Sequence, residues 1–293
     1  MSIIEKALKK AQTEPDSARV ALASEAQPAS NEPSLSLKGG LSRSVTVDRN
    51  NLRLIGLLPP ESEADEFAEQ YRAIKSPLLR HSFEPVAADA VSRRLIMIGS
   101  ALPGEGKTFT SLNLSLSLAL EKDHSVLLVD CDPANPQLSR ALGLLEYPGL
   151  LDVLADTSKP VEVALKSVVL ATDIPRLLIL PIGRCSENSS ELLTSLRMKS
   201  LVRALNGIDP RGLVLFDASP LLVTVNSRTV ASLVGQVILV VKAGSTPQQA
   251  LRDTLTILGS ASKVSLILNQ AVVTGPMGYY YGHSYGHEAY KKP

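Results

Sequence analysis

Gly106-Lys107-Thr108, preceded by Ala101-Leu-Pro-Gly-Glu105, has the residue types and spacing of a loop that grips phosphate. Counted back from Gly106, the pattern Ala101-x-x-x-x-Gly106-Lys107-Thr108 is a Walker A box with Ala where the first Gly usually stands. The backbone of Pro103, Gly104, Glu105, Gly106 and Lys107 would wrap a β-phosphate, with Thr108 and Phe109 opening the following helix. The Lys107 ammonium would then reach the β/γ oxygens, and the Thr108 hydroxyl would hold Mg²⁺. Two further stretches carry carboxylates. Ser125-Val-Leu-Leu-Val-Asp130-Cys131-Asp132 is an apolar run whose alternation aims Asp130 and Asp132 the same way. Like charges that close are unfavourable unless a cation or a proton is shared, which suits a metal or proton transfer. Gly212-Leu-Val-Leu-Phe-Asp217-Ala-Ser-Pro220 repeats the theme about 110 residues beyond Lys107, as a Walker B strand does. Lys107, Asp130 and Asp132 are therefore candidates for catalysis, the aspartate pair by holding a metal or by moving a proton, and Thr108 and Asp217 are candidate metal ligands.

These residues need strands to deliver them and helices to cover the strands. Residues 94–100 read as a strand and 108–121 as a helix whose N-terminal dipole adds to the anion site. Further strands are expected at 125–132, 177–181, 212–217, 236–242 and 264–269. The last two, as continuous Val/Ile/Leu runs, are expected to be central and covered on both faces. Helices are expected at 65–80, with a kink or early stop at Pro77, at 188–205, and at 247–258. Strand and helix alternate, which predicts an α/β domain over residues 48–274 with a mostly parallel sheet flanked by helices.

Outside that domain the composition changes. Residues 1–12 begin with the capping box Ser2-x-x-Glu5 and place Ile3, Ile4, Ala7, Leu8 and Ala11 on one face of a short helix. Residues 13–47 are rich in Pro, Ser, Ala and Glu and read as a disordered linker. Residues 275–293 form a Gly-rich tail holding Tyr279, Tyr280, Tyr281, Tyr285 and Tyr290, five of the chain's seven tyrosines. That tail has no apolar partners and cannot pack as a core, but it offers phenol hydroxyls to an active site. A phosphate loop upstream and a tyrosine cluster downstream point to a kinase that phosphorylates its own kind.

Composition narrows the alternatives. Thirty Lys plus Arg against 29 Asp plus Glu give a net charge of +1 over 293 residues, so bulk charge argues for no nucleic-acid partner. No apolar run approaches the ~18 residues of a membrane span. Cys131 and Cys185 lack metal-ligand spacing and fit a reducing cytoplasm.

The sequence resembles the bacterial tyrosine kinases of capsule and exopolysaccharide production, in particular the autokinases associated with exosortase A loci. The likeness rests on Leu102-Pro-Gly-Glu-Gly-Lys-Thr108, Val129-Asp-Cys-Asp132 as the Walker A′ box, Phe216-Asp-Ala-Ser-Pro220, Glu69-x-x-Arg72-x-x-Lys75, the opening Met-Ser-Ile-Ile-Glu-Lys-Ala-Leu, and the tyrosine tail. It implies a P-loop NTPase fold with a deviant Walker A box, like that of the Min and partition ATPases. It implies that Lys107 and Thr108 hold ATP and Mg²⁺, that Asp130 orients or deprotonates a neighbouring subunit's tyrosine, and that Asp132 and Asp217 complete the metal site. Glu69, Arg72 and Lys75 would then form ring contacts between subunits. The implied partners are other copies of the chain and an inner-membrane polysaccharide chain-length determinant, with the protein cytoplasmic and peripheral to the membrane through that partner. Two positions depart from the family pattern: Ala134 stands where an Arg is usual, and Lys75 replaces the last Arg of the stripe. The competing reading is a nucleotide-switched scaffold of the Min or partition type, without kinase activity.

Overall fold

The computed structural model describes residues 43–85, 91–259 and 263–271. The expected helix at 1–12 and the tyrosine tail lie outside the described residues, as does the linker up to residue 42. Among the described residues, eight strands form one sheet in the order β1-β4-β5-β3-β6-β2-β7-β8. They are β1 (Ser44–Val45), β2 (Leu95–Ser100), β3 (Val126–Cys131), β4 (Leu170–Thr172), β5 (Leu177–Leu180), β6 (Leu213–Ala218), β7 (Gln236–Lys242) and β8 (Lys263–Asn269). Every neighbouring pair is parallel except β4 and β5.

Side-chain alternation divides the interior in two. On one face Met97, Val129, Phe216 and Leu239 pack under α5 (Leu150–Ala155), α6 (Val161–Val168), α7 (Ser189–Thr194), α8 (Leu196–Ile208) and α9 (Val225–Leu233). On the other, Ile96, Ile98, Leu128 and Leu215 pack under α1 (Arg49–Leu54), α2 (Ala64–Ser82), α3 (Lys107–Ala119) and α4 (Gln137–Ala141). The central strands β2, β3 and β6 are buried at every residue, as parallel strands between two helical layers must be.

Three expectations need correction. The linker was expected to run to residue 47, but Ser44 and Val45 pair with Ala171 and Thr172, Val47 is buried, and its N–H donates to Asp173 Oδ1 at 2.8 Å. The β-branched alternation of Val45-Thr46-Val47 is what an edge strand needs, though too short to stand out. Residues 264–269 were expected to be a central strand, yet β8 is last in the order and leaves Leu266 and Leu268 exposed. An apolar run records hydropathy and not the number of neighbouring strands. The helix expected over 188–205 breaks at Ser195, whose hydroxyl accepts from Met198 N and caps α8. Of the two outcomes expected at Pro77, the early stop does not occur: α2 continues to Ser82, with Tyr71 and Leu78 buried in the same apolar cluster as α3. The remaining helix, α10 (Gln248–Leu258), follows Pro247 as expected.

Candidate active site

The phosphate loop leaves the carboxyl end of β2 and enters α3 at Lys107. Gly104 and Gly106 have φ of +78° and +94°, a region that favours glycine. A side chain at Gly106 would also collide with the Asn269 amide. The loop faces a cavity of about 920 Å³, within the size range of small-molecule sites. Gly104, Gly106, Lys107, Thr108 and Phe109 line one side, and Phe67 and Ile74 of α2 another. Asn269, Gln270 and Ala271, where the described chain ends, complete the rim. Phe109 meets Phe67 edge to face, with centroids 5.8 Å apart. Pro103 is exposed, whereas the Glu105 side chain is buried beneath the loop.

The carboxylates converge because their strands are neighbours. Asp130 and Asp217 are direct cross-strand partners on β3 and β6. The Lys107 ammonium lies 3.1 Å from Asp132 Oδ2. Asp217 accepts from the Ser111 hydroxyl at 3.0 Å and from the Thr108 hydroxyl. Asp132 Oδ1 accepts from the Ser219 hydroxyl at 2.6 Å. Asp130 Oδ2 accepts from Ser139 N at 2.8 Å and Ser139 Oγ at 2.7 Å, and its Oδ1 from Asp132 N at 3.1 Å. Burial, then the Asp217 charge, pushes the Asp130 carboxyl up to about 7. Burial likewise lifts Asp217 to about 6, against the opposing pull of Lys107 and of the Thr108 and Ser111 hydroxyls.

The predicted loop residues, Lys107, Thr108, Asp130, Asp132 and Asp217 are thus brought together. Asp130 was expected to meet an incoming hydroxyl, but in this arrangement it has no exposed surface and its oxygens are enclosed by Ser139 and the Asp132 amide. The charged stripe on α2 is divided. Glu69 and Arg72 are exposed and paired with each other, while Lys75 is buried, donating to Ser117 O at 3.0 Å and lying 2.7 Å from Glu121. Steps of three residues drift about 60° around a helix with 3.6 residues per turn, so the third member leaves the face of the first. The sequence reading missed Ser111, Ser139 and Ser219 as partners of the carboxylates. Ser219 stands inside the quoted Asp-Ala-Ser-Pro motif, and Ser111 one turn past Thr108, whereas Ser139 carried no signal.

Two carboxylates and a hydroxyl beside a phosphate loop are donors that suit Mg²⁺, which binds through one or two carboxylates and takes the rest of its shell from phosphates and water. Among the described residues no group of three or more His, Cys, Asp or Glu could hold a metal on its own.

A parallel sheet with a glycine loop at the carboxyl end of a central strand defines a P-loop nucleotide-binding domain. Residues 96–265 match the family described as CobQ/CobB/MinD/ParA nucleotide binding domain. Tyrosine-protein kinase YwqD of Bacillus subtilis is 31% identical over 182 residues, covering 62% of this chain and 71% of that one. The putative tyrosine-protein kinase EpsB of Ralstonia nicotianae is 28% identical over 251 residues, covering 85% of this chain; the chain spans only 31% of that relative's length. The crystal structure of the VpsO kinase domain superposes with a TM-score of 0.58 at 30% identity, covering 72% of this chain and 98% of the other. The chain belongs to the CobQ/CobB/MinD/ParA nucleotide-binding family and, within it, to the bacterial tyrosine kinases of capsule and exopolysaccharide biosynthesis.

Proposed function

We propose that the protein is an ATP-dependent tyrosine autokinase that phosphorylates the tail cluster Tyr279, Tyr280, Tyr281, Tyr285 and Tyr290 of a neighbouring copy, and through this regulates exopolysaccharide chain length and export. The observation that carries the reading is the shared cavity: Lys107 and Thr108 line it together with Gln270 and Ala271, the last described residues, and Tyr279 follows Ala271 by eight positions in the sequence. The loop backbone and Lys107 hold the phosphates, and Thr108, Asp132 and Asp217 hold Mg²⁺. The bound ion would supply charge neutralisation on the transferring phosphoryl group. A phenol with pKa ~10 must lose its proton during transfer, and Asp132, which reaches Lys107, is the proposed acceptor, Asp130 being enclosed by Ser139 and the Asp132 amide. Glu69 and Arg72 are the exposed members of the α2 stripe and remain the candidates for subunit contact.

A membrane chain-length protein is the proposed partner, bringing the kinase to the membrane. No helix among the described residues is long and apolar enough to cross a bilayer. The test mixes two copies, one carrying Lys107→Met with an intact tail and one with an intact loop and all five tail tyrosines changed to Phe. With ATP and Mg²⁺, phosphotyrosine should appear on the tail of the Lys107→Met copy. No tail phosphotyrosine on that copy or on the parent chain, even with the partner's cytoplasmic segment added, overturns the reading in favour of the nucleotide-switched scaffold.

A further inference from the structure

A carboxylate in the middle of an anion-binding loop is an electrostatic contradiction that the structure resolves. Glu105 is 3% exposed and turned under the loop, away from the cavity. Its Oε2 accepts from Leu102 N at 2.8 Å, closing the loop on itself, and its Oε1 accepts from the Thr246 hydroxyl. Thr246 stands in the turn between β7 and α10, and its oxygen in turn accepts from Lys242 N at 2.9 Å. The same turn is tied to the end of β8, where Ala243 N donates to Asn269 O at 2.9 Å. Asn269 returns to the loop, its Nδ2 donating to Glu105 O at 2.9 Å. The loop, the β7–α10 turn and the end of β8 therefore close a ring of hydrogen bonds at Glu105.

We propose that Thr246 is a positioning residue of the phosphate loop, holding it from behind through Glu105 in the shape that receives phosphate. The inference rests on the reading of this loop as the nucleotide site. Thr246 itself does not line the cavity. Among the described residues its hydroxyl is the one donor from outside the loop to a carboxylate that would otherwise be buried with a vacant acceptor, and such a donor is worth most when the acceptor is charged. A loop whose amides are fixed before the ligand arrives loses less freedom on binding, so the effect should fall on phosphate affinity rather than on the transfer step.

Thr246→Val keeps the shape and removes the donor; Thr246→Ser restores it. Hydrogen exchange of residues 101–108 in the nucleotide-free full chain is the first readout. Exchange there should rise about tenfold or more in Thr246→Val, with the rest of the sheet unchanged, and return to the parent rate in Thr246→Ser. The second readout is ATP KM against kcat in tail phosphorylation: KM should rise about tenfold in Thr246→Val while kcat stays within about threefold. Parent-like exchange and KM in Thr246→Val, a rise in exchange spread evenly over the sheet, or a failure of Thr246→Ser to rescue would each overturn the proposal. If the parent chain forms no phosphotyrosine the kinase reading falls by itself, and the exchange arm still decides the role of Thr246.

Discussion

Replacing Asp130 with Asn probes the electrostatics of the buried carboxylates directly. In the unfolded chain this carboxyl ionises near its ordinary 3.8, whereas in the folded protein burial and the Asp217 charge push it up to about 7. Between those pH values the folded protein retains a proton that the unfolded chain has released, so the unfolding free energy falls as pH rises. The stabilisation is complete below the unfolded value and is lost once pH passes about 7. Asn cannot ionise and carries none of this dependence. Two pH units, from 5 to 7, at ~1.4 kcal/mol each give about 2–3 kcal/mol by which Asp130→Asn should gain on the parent between pH 5 and pH 8. The new amide must set its NH₂ against either Ser139 or the Asp132 N–H, but a protonated carboxyl faces the same conflict. That cost therefore cancels from the pH difference. Urea unfolding of variant and parent at pH 5 and pH 8, with chelator and without nucleotide, measures it. A gap between the two proteins that is constant with pH, or that widens toward acid, would refute the account.

Two further predictions concern the helices. Lys75→Ala should cost about 1–2 kcal/mol in urea unfolding, because it strips the donor from Ser117 O and the partner from half-exposed Glu121, and should leave sedimentation unchanged. Arg72→Glu should do the reverse, and a Lys75 variant that alters assembly without altering stability would contradict the inward placement of this side chain. Ser195→Ala should lower stability by about 1 kcal/mol through loss of the α8 cap, and unfolding midpoints equal to the parent's would show that α8 needs none.

The central strands were legible because burial on both faces demands unbroken apolar runs, and β2, β3 and β6 supply them. The same logic misplaced β8, whose run Val264-Ser-Leu-Ile-Leu268 is as apolar as a core strand although it is last in the order of the described strands. It also passed over β1, where two paired residues are too few to show a period. On α2 the three-residue spacing was correctly seen, but spacing alone does not give direction: Lys75 had rotated far enough to find the carbonyl of Ser117.

The site divides in the same way. Loop, lysine and aspartates were legible because each ends a strand or opens a helix, positions that topology sends to one edge of a parallel sheet. The donors that make the buried carboxylates tolerable were not, since Ser111, Ser139 and Ser219 share no period and meet their aspartates only after β3, β6, α3 and α4 have packed. Yet the need for them follows from the sequence. Three carboxylates drawn to buried strand ends, with Lys107 as the single cation in their midst among the described residues, require neutral donors from somewhere. Each of the three receives one serine hydroxyl, and two of those serines, Ser111 and Ser139, lie outside the motifs, so the charge at a strand-end motif is set by short polar residues beyond it as well as by the motif itself.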